Sequence, residues 1–173
     1  MNLRRTLHAA ESLDALDGPS GAVARAVRRV VGRGEVDRLL RGEWLGHPVH
    51  PLVVTLPIGA WVCSAVLDLG GRHAAARQLV KVGLAATPPT VLLGLADFAH
   101  LDVRQRRVGL LHAAGNVLAA GCFLASTRCR GVWSTRAWLL AGLTALSAGG
   151  ALGGHLSYAQ AAGVHRWQEE DAR

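Results

Sequence analysis

Histidine carries most of the chemistry open to this 173-residue chain, which holds eight of them. His47 and His50 stand in Leu45-Gly-His-Pro-Val-His-Pro51, directly ahead of an uncharged run reaching Leu67. Asp97 and His100 close a second apolar stretch. His112 opens a third, with Asn116 four residues on and so on the same helical face. His155 and Tyr158 close a fourth, and His165 follows. Two imidazoles from adjacent helices can ligate a haem iron from both sides, or share a smaller transition metal with a carboxylate. Asn116 or Asp97 can then orient a ring from behind. The candidate cofactor residues are therefore His112, His155 and Asn116, for haem b. The candidate metal ligands are His47, His50, Asp97, His112 and His155. Each has a plainer role open to it: His100 and His165 as solvated loop residues, His50 as a helix-end cap, Asp97 as partner to an Arg of the following loop. No nucleophile motif, phosphate loop or iron–sulfur cysteine pattern occurs, so nothing argues for a hydrolase or a kinase.

Four apolar segments must position these groups: Pro51 to Leu69, about Ala75 to Phe98, Val108 to about Thr127, and about Ala137 to Tyr158. Each approaches the ~20 residues a bilayer-spanning helix needs. None alternates at strand period. The fold class is all-α: an integral membrane four-helix bundle with an amphipathic N-terminal extension. Pro51 suits a first helical turn, whereas Thr87-Pro88-Pro89 is expected to kink the second span. Antiparallel helices put the starts of spans one and three at the same end as the ends of two and four. His47, His50, Asp97, His100, His112, His155 and His165 gather there. His73 falls at the other end with Asp68, whose expected partner is Arg72, and His8 lies in an N-terminal segment read as remote. Counted along the helices, His112 and His155 differ in depth by roughly 10 Å, which makes His47 or His50 an alternative mate for His155. Ala141, Ala145, Gly149 and Gly153 form a small-residue stripe suited to close helix packing.

Residues 1–44 read as a basic amphipathic helical extension lying at the membrane interface. Its pattern breaks at Gly18-Pro19-Ser20, resumes over Val23, Val27, Val30 and Val31, and ends at Trp44. Residues 45–165 form the membrane domain and 166–173 a polar tail. The formal charge of +7 does not point to nucleic acid, because the basic residues lie outside the apolar runs without interleaved aromatics. Cys63, Cys122 and Cys129 make no paired framework. Residues 1–20 contain no continuous apolar region, so insertion is expected to rely on the first span. Basic residues number eight in the N-terminal segment, three in the loop between spans two and three, and two in the tail. These thirteen face six in the two remaining loops, an excess that predicts both termini in the cytoplasm.

The ordered set Gly46-His-Pro-Val-His-Pro51, Leu56-Pro-Ile-Gly59, Gly94-Leu-Ala-Asp97, His112-Ala-Ala-Gly-Asn116, Gly153-Gly-His-Leu-Ser-Tyr158 and Gly163-Val164 resembles a bacterial membrane-protein family, the domain of unknown function 2231. The resemblance covers about residues 44–165. It implies a four-helix protein of the bacterial cytoplasmic membrane, with recurrent polar positions at His47, His50, Asp68, Asp97, His112, Asn116 and His155. Many members place a further histidine where this chain has Thr55. Some carry a fused Rieske domain, which implies a redox setting and, for this chain, a separate iron–sulfur or other redox protein as partner beside the lipid bilayer. Two functions follow: a redox subunit holding haem b or another metal at its cytoplasmic side, or a structural or assembly protein whose histidines tie helix ends. A transporter fits less well, since no charge lies deep within a span and no inverted repeat is visible.

Overall fold

The computed structural model describes residues 3–32 and 34–164, so His165 and the tail lie outside the described residues. Among the described residues every regular element is helical. Four helices long and apolar enough to cross a bilayer cover His50–Leu69, His73–Phe98, Val103–Arg128 and Val132–Ala159. Only 22–28% of each apolar window is buried within the molecule. Leu56, Val66, Val117, Leu118 and Leu140 all point outward, the surface that lipid covers in a spanning bundle.

Three short helices precede the bundle: α1 (Leu3–Glu11), α2 (Asp17–Val31) and α3 (Glu35–Arg41). Gly18-Pro19-Ser20 does not interrupt the chain as expected; it forms the first turn of α2. The amides of a first turn have no intrahelical acceptor, so Pro19 costs nothing there. The break falls instead after Glu11. α2 ends at Gly32, whose φ of +78° is the conformation that favours glycine.

The first span is itself divided, into α4 (His50–Val53) and α5 (Thr55–Leu69). Pro57 has no amide to give the Val53 carbonyl, and the ladder breaks there. α6 (His73–Phe98) runs through Pro88 and Pro89 as one helix. The Thr87 and Thr90 hydroxyls donate to the Gly83 and Ala86 carbonyls beside them, at 2.9 and 2.7 Å. α7 (Val103–Arg128) starts five residues earlier than the apolar run. Asp102 accepts from the Gln105 amide while the Gln105 side chain accepts from the Asp102 amide, a reciprocal cap that draws Arg104–Arg107 into the helix. α8 (Val132–Gly154) also starts early, and it widens at its end into a π turn over His155–Ala159.

The core is built on Trp61 and Phe123, stacked with centroids 4.3 Å apart at 17°. Val80, Ala119, Leu139 and Leu146 surround them. α7 and α8 come into close backbone approach where Gly115 faces Gly149, a Cβ on Gly115 lying 3.2 Å from the Gly149 Cα. This is the use of the small-residue stripe.

Candidate functional site

The N-terminal helices fold back onto one end of the bundle and are held there by charge. Arg107 of α7 pairs with Asp17 at 2.6 Å and with Asp14 at 2.7 Å, and donates to the Glu11 carbonyl. His100 pairs with the buried Asp37 at 3.0 Å. It is thus an anchor for α3 where a solvated loop residue was expected. Arg28 donates to the Ala99 carbonyl at the end of α6. The Arg107 guanidinium holds the Asp17 carboxyl below the usual aspartate range.

Beneath this cap lie two seated histidines. His50, at the start of α4, donates its Nδ1–H to the Thr90 carbonyl of α6 at 3.0 Å. Its ring lies against the α6 backbone where a Cβ on Gly94 would come within 2.9 Å. His112 of α7 donates its Nδ1–H to the Gly149 carbonyl of α8 at 2.8 Å. A Cβ on Gly153 would meet that ring at 2.8 Å. Asn116 donates to the His112 carbonyl at 2.9 Å, and its amide nitrogen is 3.3 and 3.2 Å from the two ring nitrogens. Near-equal distances to both nitrogens put the amide against the ring, where it limits rotation. Asp97, three residues beyond Gly94, is half-buried and engaged in an interaction of its own. His47 is exposed in the bend before α4. Its carbonyl sits where a Cβ on Gly42 would be 2.1 Å away, and Gly42 has a φ of +85°, so the bend depends on that glycine.

His155 takes another direction. Six residues past Gly149, it stands about 9 Å further along the helix, and its Nε2 is 2.6 Å from Glu11 Oε1 in α1. His8 Nδ1 meets the same oxygen at 3.1 Å. The imidazoles of His8 and His155 meet edge to face, centroids 5.0 Å apart at 88°. The hydrogen bond from His155 holds the Glu11 carboxyl below the usual glutamate range. His8 is therefore not remote, and Glu11 was missed altogether. The available signal was His8-x-x-Glu11, an i, i+3 pair on one face of α1.

At the opposite end Asp68 pairs with His73 at 2.7 Å and with Arg136 at 2.8 Å; the expected partner, Arg72, is exposed. A small cavity of about 120 Å³ adjoins Asp68, lined also by His73, Arg77 and Thr135. Arg77 closes its rim through the Thr127 and Cys129 carbonyls.

Compared with known proteins, residues 46–166 match the family model described as predicted membrane protein (DUF2231). No curated protein and no solved structure matches the chain.

Proposed function

The chain belongs to the DUF2231 family of predicted membrane proteins, and from that footing we propose a membrane redox subunit holding a transition metal at the His50–His112 end of its bundle. The metal is a haem b iron or a bare ion. One observation carries the reading: His50 and His112 both tie Nδ1–H to a carbonyl of a neighbouring helix. Histidine ligands of metals are habitually oriented in this way, because the hydrogen bond fixes the tautomer and leaves the Nε2 lone pair for the metal. Asn116, against the His112 ring, is the orienting group, and Asp97 and His47 are the further donors within the same end. His155, committed to Glu11, lies outside this pair. The basic-residue balance supports a cytoplasmic placement of this end and of both termini in a bacterial membrane. An electron donor or acceptor such as a separate iron–sulfur protein would dock there.

A second reading rests on the same bonds. The described hydrogen bonds of His50 and His112 go to protein groups, so the two rings also serve as ties joining α4 to α6 and α7 to α8. The test is absorbance and metal analysis of protein purified in detergent from haem- and metal-replete cells. The redox reading expects a Soret band, or one equivalent of metal, that is lost in both His50→Ala and His112→Ala and is kept in His155→Ala. Neither signal in the wild type leaves the structural reading standing.

A further inference from the structure

We propose that His8, Glu11 and His155 form a second site, for a divalent transition metal ion of the zinc class, bridging α1 and the end of α8. Their three ligand atoms all lie within 4.8 Å of one another. Two ligands each about 2.1 Å from a tetrahedral metal stand roughly 3.4 Å apart. The His8–Glu11 separation of 3.1 Å is already close to that figure. The His155–Glu11 separation of 2.6 Å must open by about 0.8 Å, within the reach of one glutamate torsion. The donors are two imidazoles and one carboxylate, a set that selects zinc, cobalt, nickel or iron over magnesium and calcium.

The local structure supplies what such a site needs. His8 and Glu11 are one turn apart on the same face of α1. The π turn beginning at His155 breaks the α8 register at the ligand, a feature often found at functional positions. The His155 side chain is 5% exposed, Glu11 20% and His8 51%. The site is thus walled on the bundle side and open on the other, which leaves an approach for the ion and an open coordination position for water. The Glu11 carboxylate joins both imidazoles, so the ligands are already gathered. Ligands 144 residues apart mean that the ion would staple the N-terminal segment to the membrane domain. This site is distinct from the His50–His112 pair, and Glu11 and His8 fall outside the span matched by the family model.

The test uses full-length protein in detergent, stripped with chelator and titrated with Zn²⁺ and with Co²⁺. One equivalent beyond any held by the His50–His112 pair is expected at micromolar metal, with cobalt d–d bands of a low-symmetry nitrogen–oxygen site. Binding should weaken at least tenfold in Glu11→Gln and His8→Ala, and remain in the double variant His50→Ala/His112→Ala. Because His8 is half exposed, its replacement keeps the test valid if His155→Ala fails to fold. Zn²⁺ should also slow amide exchange in α1 of the wild type and leave His8→Ala unchanged. No binding at micromolar metal overturns the proposal, as does binding unaffected by His8→Ala and Glu11→Gln. Loss of this equivalent only in the His50/His112 double variant overturns it too, by assigning the metal to the other site.

Discussion

At the scale of single residues, the polar chemistry of this bundle depends on absent side chains. Gly94 and Gly153 leave room for the rings of His50 and His112, just as Gly83 does for Trp61. Adjacent glycines of α8 face different surroundings: a Cβ on Gly153 would meet the His112 ring at 2.8 Å, whereas Gly150 and Gly154 have nothing within 4 Å. Gly153→Ala should therefore destabilise the bundle by about 1–3 kcal/mol, the usual cost of overpacking. Gly150→Ala should be neutral or stabilising by up to about 1 kcal/mol, since it restricts the unfolded chain without a clash. Thermal unfolding in one detergent, with the two variants side by side, checks both signs. Equal effects would mean that the His112 seat is not what Gly153 provides.

At the scale of elements, ion pairs help to dock α1, α2 and α3, and α2 also packs Ala24 and Val23 against Phe98 and Leu101. The contacts Asp17–Arg107 and Asp37–His100 join segments far apart in sequence. Arg107 lowers the Asp17 pKa, so the stability this pair contributes is present above the ordinary aspartate value of about 3.9 and is lost as pH falls through the lower, folded value. Protection of α2 from amide exchange should accordingly fall on acidification below pH 4. Asp17→Asn should show the weaker protection already at neutral pH and a flatter acid response. A longer perturbation, deletion of residues 1–43, should still yield an inserted bundle, because four helices satisfy their own backbones in lipid. Recovery of that truncation only as soluble aggregate would make the extension part of the insertion process. The four spans were legible because ~20 apolar residues in a row have one stable arrangement in a bilayer. The early start of α7 was written in Asp102-x-x-Gln105 but obscured by three arginines read as a loop. How the extension folds back was not legible: periodicity says which face of α1 and α2 is apolar, not which distant Arg or His receives their carboxylates. That is why nothing in the apolar pattern of α1 singles out Glu11, and why His8 reads as remote from the bundle.

At the scale of the whole molecule, the two ends of the bundle differ in what they carry. One end is closed by the N-terminal helices over His50, His112 and His155; the other holds Asp68 between His73 and Arg136, with Arg77 tied across to the α7–α8 turn. The thirteen-to-six division of basic residues predicts that the capped end faces the cytoplasm. Three cysteines offer a probe of this orientation. Cys122 is buried in the bundle, and Cys63 is exposed on α5, within a span, where lipid would cover it. Cys129 is half-buried at the turn after α7, at the uncapped end. A membrane-impermeant maleimide added to intact spheroplasts should label the protein, and Cys129→Ser should remove that label. Because Cys129 Sγ rests 3.5 Å from the Ala125 carbonyl, labelling is expected to be slow but complete. Labelling that appears only after the membrane is permeabilised would invert the topology. The His8–Glu11–His155 and His50–His112 ends would then face the outside, and any redox partner would have to be sought there.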